Sequence, residues 1–159
     1  MRRHRDISIL AILLLFTVCS CSIEDDRKPI TSQISVAVPM MHQPSGLHPV
    51  PGVAPVIELQ TVEHFPTLCY RIQHSKNERA AGRVHITLGD AVSTTAPCAQ
   101  AFGPACAIIP IDSTASHYRV TLTLRDSVDI YEIKIEPERI RLIPIELHFT
   151  FPADSVWMR

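Results

Sequence analysis

The fold of this chain is decided by the stretch HYRVTLTLR, which runs from His117 to Arg125. Every second residue is apolar, and the residues between them are charged or carry a hydroxyl group. This period of two is typical of a β-strand with one face in a core and the other in water. The face predicted to be buried consists of Tyr118, Val120, Leu122 and Leu124, and the outward face of Arg119, Thr121, Thr123 and Arg125.

The same alternation returns near the end of the chain, in residues 145–151. It predicts a second half-buried strand with an apolar face toward the core. The predicted core residues of this strand are Ile145, Leu147, Phe149 and Phe151, and the predicted outward residues are Glu146, His148 and Thr150.

A hairpin is expected between these two stretches. The polar pair Asp126-Ser127 is a short break that predicts a turn onto a strand over residues 128–135. Along that strand the apolar residues change face once, which a β-bulge would produce. The predicted core residues before the bulge are Val128 and Ile130, and those after it are Tyr131, Ile133 and Ile135.

Five further short runs have the composition of strands, and the whole chain has 13 prolines and 5 glycines, which argue against a helical body. We therefore predict an all-β fold, an antiparallel immunoglobulin-like β-sandwich of about seven or eight strands. A small β-barrel is the alternative, because a sheet closed on itself gives the same alternation. The additional strands are predicted at residues 34–38, 56–60, 67–73, 83–88 and 107–111.

The chain begins with the pattern of a secretory signal. The basic start Met1-Arg2-Arg3-His4-Arg5 is followed by an apolar run over residues 7–18 and by small residues. As a helix, residues 7–21 would reach only about 22 Å, whereas a hydrocarbon core measures about 30 Å. We therefore expect a cleaved signal rather than a permanent membrane span.

The signal ends in Val18-Cys19-Ser20-Cys21, which resembles the lipobox of bacterial lipoproteins. The resemblance implies cleavage between Ser20 and Cys21 and a diacylglycerol thioether on Cys21, often with a third acyl chain such as palmitate on the new amino terminus. Two or more acyl chains hold a protein on a membrane essentially permanently. The next residues, Ser22-Ile23-Glu24-Asp25-Asp26, resemble the acidic export signal of Bacteroidota surface lipoproteins, which implies the outer face of the outer membrane. A solvated tether, with the domain on the periplasmic face, is the alternative.

These features predict three parts: a signal peptide over residues 1–20, a lipidated cysteine and acidic tether over 21–33, and one β domain over 34–159 with a proline-rich irregular segment over 39–55. Cleavage would remove Arg2, Arg3, Arg5 and Asp6, so the 15 basic and 16 acidic residues become 12 and 15, a net charge near −3. No basic patch attracts nucleic acid. The expected partners are the membrane, through the lipid, and a protein or glycan.

Three cysteines besides Cys21 would remain after cleavage: Cys69, Cys98 and Cys106. Export favours a disulfide. The most local pair is Cys98 with Cys106, and closing that short loop would contribute about 2.5 kcal/mol. Pairing of Cys69 with either of the others stays open. A free Cys69 is interpreted as a buried small hydrophobe, and the alternative is a nucleophile activated by a nearby His64 or His74.

No local motif marks a metal, a cofactor or a catalytic residue. His85, His117 and His148 lie on predicted strands, where they are interpreted as outward or hydrogen-bonded side chains rather than convergent ligands. Trp157 is interpreted as a plug at the edge of the fold, with a ligand platform as the alternative. The sequence thus predicts a membrane-anchored lipoprotein with a non-enzymatic binding or scaffolding domain. A small metal-binding or cysteine-dependent enzyme domain is the competing interpretation.

Overall fold

A computed structural model describes residues 26–39, 55–80, 82–94, 99–111, 115–154 and 156–158. The predictions for the signal over 1–20, for cleavage at Ser20 and Cys21, for lipidation of Cys21 and for most of the proline-rich segment over 39–55 lie outside the described residues, as does Cys98. The described residues contain no helix long and apolar enough to span a bilayer.

The described residues form strands and turns, which confirms the all-β prediction. Eleven strands can be delineated in them. Their bounds are β1 Arg27–Lys28, β2 Ile34–Ala37, β3 Val56–Phe65, β4 Tyr70–Ala80, β5 Arg83–Ser93, β6 Gly103–Pro110, β7 His117–Leu124, β8 Ser127–Ile135, β9 Arg139–Glu146, β10 Thr150–Pro152 and β11 Val156–Met158.

The strands belong to one sheet that is nearly closed into a barrel. The order is β10-β2-β3-β6-β4-β5-β7-β8-β9-β11, and β1 pairs with β5. Most neighbours are antiparallel, but β10 with β2, β4 with β6 and β5 with β7 are parallel. A single continuous sheet supports the barrel alternative rather than the two packed sheets of an immunoglobulin-like sandwich.

The strand predicted over residues 117–125 is confirmed as β7. In β7 the side chains of Tyr118, Val120 and Leu122 are buried, and Arg119 points outward. The apolar residues of β5 lie opposite them in register, so that the two strands share one core face. Burial of each large apolar side chain stabilises the fold by about 1.5–3 kcal/mol, which explains why the alternation fixes the orientation of this strand.

The predicted strand over residues 145–151 is wrong. Strand β9 ends at Glu146 and β10 begins at Thr150, and the residues between them form a turn. Ile145 is 53% exposed and Leu147 is 40% exposed, whereas Thr150, predicted outward, is buried. Phe149 and Phe151 are only partly buried. The turn forms because the backbone N–H groups at its end bind a buried carboxylate rather than a neighbouring strand.

The predicted hairpin between β7 and β8 is present, with the turn at Arg125 and Asp126, one residue earlier than predicted. The predicted change of face within β8 does not occur, because β7 and β8 pair without a register shift. Asp129 is fully buried and Val128 is 37% exposed. A register shift does occur between Ile130 and Tyr131, but in the pairing of β8 with β9.

The folded body begins before residue 34. Strand β1 pairs with Val92 and Ala91 of β5, and Ile30 is buried in the core. The predicted tether over residues 21–33 therefore extends too far, because residues 26–33 are part of the domain. The two charged residues Arg27 and Lys28 form this short strand.

Candidate functional site

A polar groove lies on the outward face of the sheet, where β4, β5 and β7 run side by side. Asn77, His85 and Thr121 are opposite one another across the three strands. Arg83 and Arg119 form the next pair in register. The groove encloses about 440 Å³ and is lined by Asn77, Ala80, Arg83, Val84, His85, Arg119 and Thr121.

The two arginines of the groove face each other without a counter-ion among the described residues. Neither guanidinium group forms an ion pair or a side-chain hydrogen bond there, in contrast to Arg139 and Arg141, which both contact Glu136. Like charges directly opposite on neighbouring strands repel each other. The groove therefore holds two unneutralised positive charges.

The carboxylate nearest in register belongs to Glu132, which lies opposite Arg119 on β8. Its Oε2 atom is 3.5 Å from Nε2 of His117, so this carboxylate is directed along its own strand pair toward the histidine. His85 stands inside the groove, with its Nε2 3.5 Å from Oγ1 of Thr123. The donors of the groove remain accessible to a ligand.

The backbone holds the groove in place through the turn that joins β4 to β5. Gly82 has a φ of 77°, a conformation that L residues with a side chain rarely adopt. A Cβ atom there would lie 2.6 Å from the carbonyl oxygen of His117. The carbonyl oxygen of Gly82 accepts a hydrogen bond of 2.7 Å from the backbone N–H of Arg119. The turn thus fixes Arg83 beside Arg119.

A second polar cluster, the Asp129 corner, lies inside the barrel where the sheet nearly closes. The carboxylate of Asp129 accepts hydrogen bonds from the backbone N–H groups of His148 and Thr150, each at 2.7 Å, and from Phe149 at 3.3 Å. It also accepts one from the hydroxyl group of Thr150. The hydroxyl group of Tyr131 is 2.6 Å from that of Thr150. Every polar side chain of this corner has a partner.

The surroundings of the Asp129 corner change the pKa of Tyr131. Burial raises the pKa of its phenol to about 12; the hydrogen bond with Thr150 opposes this shift, and the negative charge of Asp129 adds to it. A phenol that remains protonated over the physiological range acts as a hydrogen-bond donor or acceptor only. The corner consequently has a structural arrangement, with no group open to a substrate.

Another buried phenol ties the amino-terminal strand to the body. The hydroxyl group of Tyr70 donates a hydrogen bond to the carboxylate of Asp26, and its ring stacks on Phe65 at 4.7 Å between centroids. Burial, this hydrogen bond and the charge of Asp26 raise the pKa of Tyr70 to about 12. The contact fixes the residue at which the described chain enters the domain.

The cysteines do not follow the predicted pairing. Cys106 carries a free thiol, so the predicted Cys98–Cys106 disulfide is wrong. Cys69 is buried and disulfide-bonded, which also removes it as a nucleophile. Nη1 of Arg71 donates to Sγ of Cys106 at 2.6 Å. Cys106 lies in register with Gln60 of β3 and with Arg71 of β4.

The strand histidines do not converge. His117 contacts Glu132, His148 contacts Glu146 at 3.0 Å, and His85 lies near Thr123. Within the described ranges, no three histidine, cysteine or acidic side chains are grouped so that they could hold a metal ion. His148 also lies in the turn after β9 rather than on a strand. Trp157 lies on β11 opposite Ile140, and both interpretations of its ring stay predictions.

Comparison with known proteins adds no family. No protein-family model, curated protein or solved structure matches this chain. The site is therefore defined by its own geometry.

Sequence reasoning missed the groove, although it placed Arg119 and Thr121 on the outward face. The missing information was the parallel pairing of β5 with β7, two strands separated along the chain by β6. The polar second half of β4 also lacks the alternation that would have predicted a strand there. A signal was present in the two arginines at equivalent outward positions, but only the register brings them together.

Proposed function

We propose that this chain is a membrane-anchored lipoprotein whose β domain binds a ligand in the groove formed by β4, β5 and β7. The observation that carries the proposal is a concave surface of about 440 Å³ on which several polar side chains converge. Binding sites are typically clefts of about 300–1,000 Å³ with a few well-placed polar groups.

A binding role is favoured over catalysis by the positions of the reactive side chains. Nucleophilic catalysis needs a nucleophile with an adjacent base in an accessible cleft. The buried Cys69 is in a disulfide, and the carboxylate of Asp129 is enclosed and saturated with backbone donors. The groove lining offers hydrogen-bond donors and charge, which suit recognition.

The proposed lipid at Cys21 determines how the groove is placed relative to the membrane. Asp26 is only five positions beyond Cys21 in the sequence, a reach of about 17 Å at full extension. Strand β1 pairs with the end of β5 at Val92, whereas the groove lies at its start, at Arg83. Nine strand residues correspond to about 30 Å, so the groove would stand at the end of the domain away from the membrane. On the outer membrane it would face the surroundings.

The anchor is tested in a bacterial host that processes lipoproteins, supplied with labelled palmitate. We expect the wild-type chain to take up the label and to sediment with membranes, and Cys21→Ala to do neither. Cys106→Ala is the matched control and should behave as wild type. An unmodified amino terminus in the mature wild-type protein, or a mature chain that starts elsewhere, would contradict the proposed anchor.

The groove is tested by native mass spectrometry of the full chain extracted from the membranes that carry it. We expect a bound species that is lost in Thr121→Trp, whose indole would fill the groove. Val62→Trp places the same side chain at an exposed position outside the groove and should retain the species. A wild-type protein without any bound species, or equal retention in both variants, would refute groove binding.

A further inference from the structure

We infer that the groove binds an oxyanion, the carboxylate or phosphate group of a small polar molecule, held between the guanidinium groups of Arg83 and Arg119. Asn77, His85 and Thr121 line the remaining wall and offer hydrogen bonds to the rest of the ligand. The inference rests on the proposed binding function and names the chemistry of its ligand.

The arrangement of charge in the groove favours an anionic ligand. Arg83 and Arg119 are direct register partners on neighbouring strands, and within the described chain neither has an anionic partner. Two like charges held side by side destabilise the pairing of their strands. An oxyanion between them converts this repulsion into two charge-assisted hydrogen-bonding contacts, and the planar guanidinium group fits carboxylates and phosphates in a bidentate manner.

No carboxylate is among the described residues that line the groove. Two acidic side chains near the groove contact other residues: Glu132 of the neighbouring β8 contacts His117, and Glu78 of β4 contacts Lys76 at 2.8 Å. The chain as a whole has a formal net charge of −1, so a concave surface with two free cations stands out from its surroundings. Such a surface attracts anions selectively.

The backbone that carries the two arginines is preorganised. The turn at Gly82 places Arg83 at the first position of β5, and the hydrogen bond from Arg119 N–H to Gly82 ties that turn to β7. The backbone positions of both cations are thus fixed before a ligand arrives, which lowers the entropic cost of binding.

The size and the lining of the groove favour a small polar ligand. A volume of about 440 Å³ admits a small molecule. None of these lining residues is a phenylalanine, tyrosine or tryptophan, the large flat side chains on which nucleobases and sugar rings usually stack. The groove is suited to a ligand recognised by charge and hydrogen bonds.

The inference is tested by isothermal titration calorimetry on the full chain in detergent. Inorganic phosphate and succinate are the probes, titrated in separate arms at constant ionic strength, so that the two arms show which oxyanion the site prefers. The variants are Arg83→Gln and Arg119→Gln. Lys134→Gln is the matched control, because Lys134 is an exposed cation outside the groove on neighbouring β8.

We expect saturable one-to-one binding of at least one probe, and a rise in Kd of about tenfold or more in each arginine variant. Lys134→Gln should stay within about twofold of wild type. Arg83→Lys should recover only part of the affinity, because an ammonium group cannot bind in a bidentate manner. Absence of saturable binding of both probes, or an equal loss in Lys134→Gln, would refute the inference.

Failure of this inference can be distinguished from failure of the proposed function. If neither oxyanion binds while a native ligand is still displaced by Thr121→Trp, the ligand is not an anion and the groove remains a binding site. If that displacement is absent as well, both the ligand class and the binding function are wrong.

Discussion

The Asp129 corner and the groove formed by β4, β5 and β7 are two polar regions of this domain. They differ in whether their charged side chains have partners within the protein. In the corner, one carboxylate receives three backbone N–H groups and a hydroxyl group, and the side chain is fully buried. In the groove, Arg83 and Arg119 are both exposed, and neither has an anionic partner in the described part of the chain.

The difference follows from the cost of removing charge from water. A buried charge is tolerated only when hydrogen bonds replace its hydration, so the contacts of Asp129 are a condition of folding. Exposed guanidinium groups keep their hydration, and the fold does not require a partner for them. We therefore expect substitutions in the corner to change stability, and substitutions in the groove to change binding.

The largest effect is expected for Asp129→Ala. Removal of the Asp129 carboxylate leaves the backbone N–H groups of the β9–β10 turn without acceptors. We therefore expect the free energy of unfolding to fall by about 3–5 kcal/mol. Urea denaturation of the full chain measures this change. Thr150→Val, which removes one hydroxyl group, serves as a milder variant if the first one does not fold. A loss below about 1 kcal/mol in both variants would mean that the corner does not hold the sheet together.

The second-largest effect is expected on removal of the Cys69 disulfide, which should lower stability and leave binding in the groove unchanged. Among cysteines of the cleaved chain, Cys106 is free and Cys21 would carry lipid, so we predict Cys98 as the partner. The neighbours of these positions already meet, because the N–H of Leu68 donates to the carbonyl oxygen of Ala99 at 3.4 Å. A loop of this length contributes about 3–4 kcal/mol.

The measurement is a peptide map without reduction, followed by urea denaturation of Cys69→Ser. We expect a Cys69–Cys98 peptide, a loss of about 3 kcal/mol and an unchanged affinity of the groove for its oxyanion. Cys106→Ser is the control and should unfold as wild type within about 0.5 kcal/mol. A map that links Cys98 to Cys106 would contradict both the pairing and the free thiol.

A smaller effect concerns the pH dependence of the corner. The pKa of Tyr131 is raised to about 12, above the value of an unfolded tyrosine, so the folded state holds the proton more tightly. The resulting stability is complete below about pH 10 and is lost as the pH rises toward 12. By pH 11 we expect wild type to lose about 1.4 kcal/mol through this group.

The comparison is made with Tyr131→Phe, which lacks the titrating proton but keeps the other raised phenol, Tyr70. Denaturation of both proteins between pH 9 and 11 gives the contribution of Tyr131 as the difference between their slopes. Parallel curves would show that this phenol ionises in the folded state as it does in water.

The corner also explains how much of the fold the sequence could predict. Alternation predicted β7 correctly because its apolar side chains face a core that neighbouring strands complete. The same alternation failed at Ile145 and Leu147, because the backbone there turns to bind Asp129 and no partner strand covers those side chains. Hydrophobicity also cannot predict that Asp129 is buried while its neighbour Val128 is exposed. The burial of Asp129 depends on hydrogen-bond donors from a segment that begins nineteen residues further along the chain.

The groove could not be predicted from the sequence for a different reason. The outward positions of Arg119 and Thr121 followed from period two, but their neighbours come from β4 and β5, which the chain reaches by a parallel crossover. Register between non-adjacent strands is set by the closure of the whole sheet and not by local pattern. The proposed lipid anchor, by contrast, rests on a contiguous motif that ends at Cys21, and it stays a prediction from the sequence.

The smallest effect on stability is expected in the groove itself, and it tests the comparison from the opposite side. Arg83→Gln and Arg119→Gln each remove one of two facing like charges, so unfolding free energy should stay equal or rise by a few tenths of a kcal/mol. Urea denaturation at low and at high salt measures this change, and salt should reduce it because it screens the repulsion. A loss above about 1 kcal/mol would mean that the arginines stabilise the fold. Unchanged stability with weakened anion binding assigns the two cations to recognition, because nothing in the folding of the sheet then accounts for them.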